Sequence, residues 1–158
     1  MFLYDVFQPE FIKIGLESEN KIEVFEELVD KLLLAKNVAP REEILKALWE
    51  REHKMSTGIQ KGLAIPHAKV ADLVNVCGVL GISKKGIDYA ALDGKPVYII
   101  FMVLSPQADS EEHLRLLKGL VALMGNREFY TELLAQKDPG NINKIIKKYE
   151  DIYISSDS

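Results

Sequence analysis

The sequence predicts an α/β fold, a single layered domain in which helices cover a mixed β-sheet. Amphipathic helical segments alternate with short apolar segments along the chain, an order that is typical of helices packed on a sheet. Residues 95–106 form a nearly continuous apolar run between turn residues, as expected for a central strand buried on both faces. The 158 residues contain no internal repeat and no low-complexity linker, so one domain over residues 1–158 is expected.

The first two helices are predicted from apolar periodicity and from end signals. One covers residues 20–37, where Asn20 and Glu23 form a start similar to a capping box. The apolar stripe expected to face the core comprises Ile22, Phe25, Val29, Leu32 and Leu33. The second helix begins near Pro40, a residue suited to a helix N-terminus, and covers residues 41–53. Its buried face is expected at Ile44, Ala47 and Leu48.

The rest of the chain supplies the remaining strands and three more helices. Besides the central strand, short strands are expected over residues 62–69 and 74–83. Helices are expected over residues 108–126, 127–137 and 141–151. In the first of these, Asp109 and Glu112 supply the start signal and Gly125-Asn126 the stop. Its core face is expected at Leu117, Leu120, Val121 and Met124. The last four residues, 155–158, are expected to be frayed.

Composition and charge exclude several classes of protein. The formal net charge is −4 and the basic residues are interspersed with acidic ones, whereas a nucleic-acid binder needs a basic patch or stripe. The single cysteine, Cys77, cannot form an internal disulfide, and its place in an apolar strand indicates a core residue. The first 15 residues lack the pattern of a signal peptide, and the longest apolar run, 97–104, is too short to span a bilayer. A cytoplasmic protein without direct membrane insertion is expected.

His67 is the first candidate for chemistry, in the stretch STGIQKGLAIPHAK (56–69). Pro66 has no amide donor, so we expect the strand to end there and to present His67 at its end rather than within a ladder. Gly58 and Gly62 permit tight turns and are expected to leave backbone amides uncovered nearby. A histidine beside such donors suits a phosphohistidine, and the alternative interpretation is a surface histidine in a loop.

His113 and Arg51 are the next candidates, and each has two interpretations. His113 falls in the first turn of the helix after the most buried strand, where ligands collect in open α/β sheets. It shares a helix face with Leu117 and Leu120, so a buried structural histidine is the alternative. Arg51 continues the apolar stripe of the second helix, where its guanidinium either extends to solvent or meets an anion such as a phosphate.

A metal site is the alternative chemistry for the histidines. His53, His67 and His113 could in principle gather a metal ion in a hydrolase. No HExxH motif and no Cys/His pair with ligand spacing supports this, so no metal and no cofactor are expected. The GxSxG and Walker A motifs are also absent from the sequence.

Four ordered blocks of the sequence together resemble a known family. Residues 51–69, with Ser-Thr-Gly at 56–58 and AIPH at 64–67, are similar to the signature of type-2 enzyme IIA domains of the bacterial phosphoenolpyruvate-dependent phosphotransferase system. Residues 87–106 and 111–117 resemble the family's buried strand and the histidine helix that follows it. The resemblance covers essentially the whole chain and is to the fructose- and nitrogen-type branch. Gln60 and Ala68 stand where many relatives have glycine.

The resemblance implies roles for these residues. It identifies His67 as the phosphoryl acceptor, His113 as an orienting or stabilising histidine and Arg51 as a phosphate-stabilising arginine. Ser56, Thr57, Gly58 and Gly62 would form a phosphate loop whose backbone amides, together with Arg51 and His113, are the expected donors to the phosphoryl oxygens.

The resemblance also implies partners. A histidine phosphocarrier protein would supply the phosphate, and a IIB component would receive it for uptake of a fructose- or mannitol-type sugar. The IIB and membrane-embedded IIC parts are expected on other polypeptides. The alternative is a nitrogen-type regulatory protein whose phosphorylation state controls other proteins without transporting sugar.

Overall fold

The computed structural model describes residues 1–108 and 110–157. Its strands are β1 (Ile12–Ile14), β2 (Leu63–Ala64), β3 (His67–Val70), β4 (Cys77–Ile87) and β5 (Val97–Pro106). Its helices are α1 (Leu3–Val6), α2 (Lys21–Ala35), α3 (Arg41–Glu52), α4 (Ser110–Met124), α5 (Arg127–Ala135) and α6 (Pro139–Asp157), with a 3₁₀ turn at Pro9–Phe11. Asp109, predicted to help start the fourth helix, lies outside the described residues.

The strands form one mixed sheet in the order β1-β4-β5-β2, with β3 also paired to β5. β4 runs antiparallel to β5, whereas β1 is parallel to β4 and both β2 and β3 are parallel to β5. The predicted class, a mixed sheet covered by helices, is therefore confirmed. β5 corresponds to the predicted central strand, and nearly all of its side chains are buried.

β2 and β3 occupy the same edge of β5 and differ from the single strand predicted over residues 62–69. Leu63 pairs with Ile99 and His67 with Val103, so the register is the same in both segments. The ladder breaks at Ile65 and Pro66. The Ile65 N–H donates to the Thr57 carbonyl (3.0 Å) instead of to β5, and proline has no N–H to donate. One extended edge strand is thus interrupted for two residues.

Alternate side chains of β5 enter two separate cores, because successive residues of a strand point to opposite faces. Ile99, Phe101 and Val103 pack in the core beneath α1, α4, α5 and α6. Ile100, Met102 and Leu104 pack in the core beneath α2 and α3. The sheet therefore separates a layer of two helices from a layer of four, among the described elements.

The predicted helices are present, but their buried faces are rotated from the predicted ones. In α2 the buried residues are Val24, Phe25, Leu28, Val29 and Leu32. The prediction for Ile22 is wrong, since this side chain is 60% exposed. In α4 the buried stripe is Leu116, Leu120 and Leu123, and the predicted Val121 is 54% exposed. In α3, Ile44, Leu45 and Leu48 are buried. Periodicity alone finds a helix more easily than the rotation about its axis.

Two asparagines cap helices, one as predicted. The Asn20 side chain accepts the Glu23 amide (2.9 Å) and so caps α2 as expected. The stop predicted at Gly125-Asn126 is confirmed, since α4 ends at Met124, and the Asn126 side chain also caps the next helix by accepting the amides of Glu128 (3.0 Å) and Phe129 (3.3 Å). The residue that follows one helix thereby starts another.

Both ends of the chain differ from the sequence-based picture. The N-terminal elements α1 and β1 were not predicted, and β1 adds the far edge of the sheet beside β4. The carboxylate of Glu150 in α6 holds α1 by accepting the amides of Leu3 (2.6 Å) and Tyr4 (3.2 Å). Helix α6 continues to Asp157, so residues 155–157 are helical where fraying was expected, and Ser158 lies outside the described residues. Among the described helices, none is long and apolar enough to cross a membrane.

Candidate functional site

His67 is the first residue of β3, at the break in the edge strand. It pairs with Val103 in the ladder that resumes after Pro66, whereas the sequence placed it outside a ladder. The half-buried imidazole lies with Nδ1 2.8 Å from the carbonyl oxygen of Ile65. A carbonyl only accepts hydrogen bonds, so Nδ1 carries the proton and Nε2 has the lone pair. The backbone thus selects one tautomer of His67.

The surroundings of His67 favour its neutral form. Burial lowers the pKa of the imidazole, and the nearby positive charge of Arg51 lowers this pKa further. The hydrogen bond to the Ile65 carbonyl and the negative charge of Glu52 act in the opposite direction, but the pKa stays below its ordinary value. A neutral imidazole with a lone pair on Nε2 is the nucleophilic form of histidine.

His113 lies beside His67 and is largely buried, with 8% of its surface exposed. The two ring centroids are 5.5 Å apart and the rings are inclined by 53°. Nδ1 of His113 bonds to the hydroxyl of Ser105, a fully buried residue at the end of β5. His113 shares the buried stripe of α4, as its spacing indicated, and it also faces the candidate nucleophile. The structure therefore brings the two predicted histidines together.

Arg51 lies in the last turn of α3, close enough for its charge to affect the pKa of His67. Its Nη1 donates to the Met55 carbonyl (2.7 Å), which ties the guanidinium to the loop after α3. The side chain is half-buried, so it is neither enclosed in the core nor fully extended into water. This placement leaves a cation at the edge of the site.

The loop of Ser56, Thr57 and Gly58 lies next to the site, but two of its amides are not open. The Thr57 amide donates to Glu52 (2.8 Å) and the Gly58 amide donates to the Ser56 hydroxyl (3.2 Å). These two N–H groups therefore differ from the uncovered amides expected from the sequence. A Cβ at Gly58 would lie 2.7 Å from the Tyr89 ring, so close packing explains this glycine.

The structure does not bring Gly62 to His67. The Gly62 carbonyl accepts the amides of Tyr98 (2.9 Å) and Ile99 (3.1 Å), at the opposite end of β5. Ile99 lies four residue steps along β5 from Val103, the partner of His67, which corresponds to roughly 13 Å. Gly62 has a positive φ of 80° and directly precedes β2, so its role is in the turn that leads into the edge strand.

Four polar residues near the site were not singled out in the sequence: Lys21, Glu52, Tyr89 and Ser105. A signal existed for Ser105, because a hydroxyl at the carboxyl end of a buried strand lies where ligands collect in such sheets. Glu52 follows Arg51 in the recognised motif. Lys21 and Tyr89 come from distant segments, and no local pattern marks them as neighbours of the site.

The histidines do not form a metal site in the part of the chain that the structure describes. His53 is exposed at the end of α3, where its ring lies 5.7 Å from that of Trp49. The described residues contain no group of three or more His, Cys, Asp or Glu side chains that could hold a metal ion. The arrangement at His67 suits nucleophilic transfer of an anionic group.

Comparison with known proteins identifies the family. Residues 5–149 match the profile described as phosphoenolpyruvate-dependent sugar phosphotransferase system, EIIA 2. The chain belongs to the EIIA type-2 family. The resemblance of the four sequence blocks is therefore confirmed. Both members of its predicted branch, fructose type and nitrogen type, are represented among the relatives of this EIIA type-2 chain.

Three relatives show how the EIIA type-2 chain compares in detail. It is 36% identical over 139 residues to the "PTS system fructose-specific EIIABC component" of Bacillus subtilis, covering 88% of this chain and 22% of that protein. It is 31% identical over 137 residues to the "PTS system fructose-specific EIIA component" of Haloferax volcanii, covering 87% of this chain and 89% of that protein. The crystal structure of nitrogen regulatory protein IIA-Ntr from Neisseria meningitidis superposes with a TM-score of 0.84 at 26% identity, covering 91% of this chain and 98% of that one.

Proposed function

We propose that this EIIA type-2 domain carries a phosphoryl group on Nε2 of His67. The observation that carries the proposal is the hydrogen bond from Nδ1 to the Ile65 carbonyl, 2.8 Å long, which leaves the lone pair on Nε2. The lowered pKa of His67 supports it, because the imidazole is then unprotonated and nucleophilic at neutral pH. The other ring nitrogen is already used by the backbone.

The transfer needs no proton movement at His67. The Nε2 lone pair attacks phosphorus in line while the bond between phosphorus and the donor's nitrogen breaks, and that electron pair returns to the donor's ring. His67 then holds the phosphoryl group on Nε2 and keeps its proton on Nδ1, still bonded to Ile65. Catalysis is therefore mainly positioning and charge stabilisation.

Arg51 and His113 are the proposed donors to the phosphoryl oxygens. Arg51 supplies a permanent positive charge near His67. A neutral His113 can donate to a phosphoryl oxygen from Nε2 only when the Ser105 hydroxyl donates to Nδ1. Ser105 would thus select the tautomer of His113, as the Ile65 carbonyl selects that of His67. The Ser56–Gly58 loop supports the site, and Gly62 is not included.

The proposed donor is a histidine phosphocarrier protein and the proposed acceptor is a IIB component for fructose-type sugars, in the cytoplasm. The fructose-specific names of two relatives support this transport role. The second candidate is a nitrogen-type regulatory protein, which is supported by the similarity to IIA-Ntr over nearly the whole of that chain. Both candidates require the same phosphohistidine, so the chemistry is tested first.

Phosphorylation from phosphoenolpyruvate through enzyme I and the phosphocarrier protein tests the chemistry. Intact mass should show one added phosphate on the wild type and none on His67→Ala. His53→Ala, which removes an exposed histidine whose ring lies 5.7 Å from that of Trp49, is the matched control and should be labelled like the wild type. Phosphorus NMR should report the Nε2 isomer. Labelling of a folded His67→Ala variant would overturn the assignment.

Transfer to a second protein separates the two roles. The phosphorylated chain is mixed with a purified fructose-type IIB component, and loss of phosphate from this chain is followed over time. Rapid transfer supports the carrier role. Phosphorylation without transfer, together with co-purification of a non-transport partner that depends on the phosphorylation state, supports the regulatory role.

A further inference from the structure

A hydrogen-bond relay through Thr57 and Ile65 connects Glu52 to His67. Glu52 is the last residue of α3 and is 6% exposed. One carboxylate oxygen, Oε1, accepts the Thr57 hydroxyl (2.6 Å), and the other, Oε2, accepts the Thr57 amide (2.8 Å). Two charge-assisted hydrogen bonds therefore hold Thr57 by both backbone and side chain.

The relay continues through the backbone of the edge strand. The Thr57 carbonyl accepts the Ile65 amide (3.0 Å), and the Ile65 carbonyl accepts Nδ1–H of His67 (2.8 Å). Pro66 restricts Ile65 to an extended conformation, so both polar groups of Ile65 keep their directions. The position of Thr57 thereby determines where the carbonyl that orients His67 lies.

Two further side chains complete the surroundings of Glu52. Lys21 Nζ lies 2.9 Å from Oε2 of Glu52 and 4.7 Å from the centroid of the Tyr89 ring. The Tyr89 hydroxyl lies 2.7 Å from Oγ1 of Thr57. Because a carboxylate only accepts, Thr57 donates to Glu52, and Tyr89 must donate to Thr57. The hydrogen-bonding directions of the cluster are then all assigned, and such fully satisfied buried networks are rigid.

We propose that Glu52 is a positioning residue for phosphoryl transfer, which holds His67 in the tautomer with Nε2 unprotonated by acting through Thr57 and Ile65. The proposal rests on the function proposed above, since Nε2 is the atom that it keeps available. Lys21 and Tyr89 support this role. Lys21 donates to the Glu52 carboxylate, and the Tyr89 hydroxyl donates to the hydroxyl of Thr57. This role explains why the carboxylate of Glu52 is buried beside a site that is proposed to hold an anionic phosphoryl group.

Glu52→Gln is the primary test. Glutamine keeps the size of the side chain but has one acceptor oxygen in place of two, so it cannot accept from both groups of Thr57 and from Lys21. The imidazole nitrogen shifts of His67, measured by NMR on the unphosphorylated protein, report the tautomer directly. We expect the wild type to show one tautomer, with the proton on Nδ1, and Glu52→Gln to show a mixture. Phosphoryl acceptance should slow about tenfold or more, as misplacement of a reacting group predicts.

Glu150→Gln is the matched control. Like Glu52, Glu150 is a buried glutamate, and its carboxylate accepts two backbone amides. It anchors α1 to α6, in the helix layer on the other face of the sheet. The substitution should leave the tautomer of His67 and the rate of phosphoryl acceptance as in the wild type. Circular dichroism confirms that each variant is folded at the temperature of the measurements.

Thr57→Val keeps the proposal testable if Glu52→Gln does not fold. Valine has the shape of threonine and keeps the backbone amide bonded to Glu52, but it lacks the hydroxyl that bonds to Oε1. We expect Thr57→Val to show a mixture of His67 tautomers as well. Thr57→Ser keeps the hydroxyl that bonds to Glu52 and should show the single wild-type tautomer.

Folded Glu52→Gln or Thr57→Val with the wild-type tautomer and rate would overturn the proposal. A wild type that accepts no phosphate would contradict the proposed function instead. The NMR measurement needs no phosphate, so it would still decide whether the relay selects the tautomer.

Discussion

Replacing Ser105 by alanine removes the hydroxyl that bonds to Nδ1 of His113 at the end of β5. Ser105 is fully buried, and His113 is largely buried, so water cannot easily take the place of the lost hydroxyl. The variant removes this buried hydrogen bond, and the loss of one side of such a bond costs about 1–3 kcal/mol of unfolding free energy. It also removes the group that selects the tautomer of His113, so we expect phosphoryl transfer to slow about tenfold.

Ser83→Ala is the matched control for this prediction. Ser83 is another fully buried serine, in β4, and its hydroxyl accepts the Gly86 amide (3.0 Å) away from the two histidines. Denaturant unfolding of both variants should show losses of stability of similar size, while intact-mass kinetics of phosphorylation should change only for Ser105→Ala. If Ser105→Ala is destabilised but transfers phosphate at the wild-type rate, the Ser105 hydroxyl has a structural role alone.

The surroundings of His67, Gly58 and Cys77 lead to four further predictions. Burial lowers the pKa of His67, so its neutral form and phosphoryl acceptance should persist below pH 6.5, the ordinary value; a midpoint above 6.5 in the pH–rate profile would contradict this. The same shift stabilises the fold above pH 6.5 and loses that contribution as the pH falls toward the lowered pKa, which acid titration of stability measures. Gly58→Ala places a Cβ 2.7 Å from the Tyr89 ring and should destabilise the fold by about 1–3 kcal/mol, measured by urea unfolding. Burial raises the pKa of Cys77 to about 11, so maleimide labelling at pH 7 should be much slower than for a free thiol, and fast labelling of the folded protein would refute it.

Sequence patterns predicted a structural feature correctly where all the residues that form the feature lie in one short segment. The Asn20 cap depends on residues three positions apart, and the central strand depends on one apolar run, so both were predicted correctly. The rotation of α2 and α4 about their axes was predicted only in part, because Ile22 and Val121 lie near the edge of each apolar stripe. Which edge of a stripe is buried depends on the neighbouring element, and the stripe alone does not contain that information.

The N-terminal elements show a different limit. β1 has three residues and α1 four, too short for a clear periodicity. β1 is held by its pairing with β4, and α1 by the carboxylate of Glu150, which lies almost the whole chain length away. Segments of this size depend on distant partners for their structure, so their own residues do not predict it.

By itself, the sequence determined the family of this chain, its fold class, and the candidates His67, His113 and Arg51, because motif spacing and apolar runs are properties of contiguous residues. The tertiary structure alone decided which of the remaining candidates share a site. It separated Gly62 from His67 because the two lie at different points along an extended strand. It brought Glu52, Thr57 and Ser105 to the histidines through the meeting of α3, the following loop and β5. It also selected the tautomer of His67, since the hydrogen-bond direction of the Ile65 carbonyl exists only once the chain has folded.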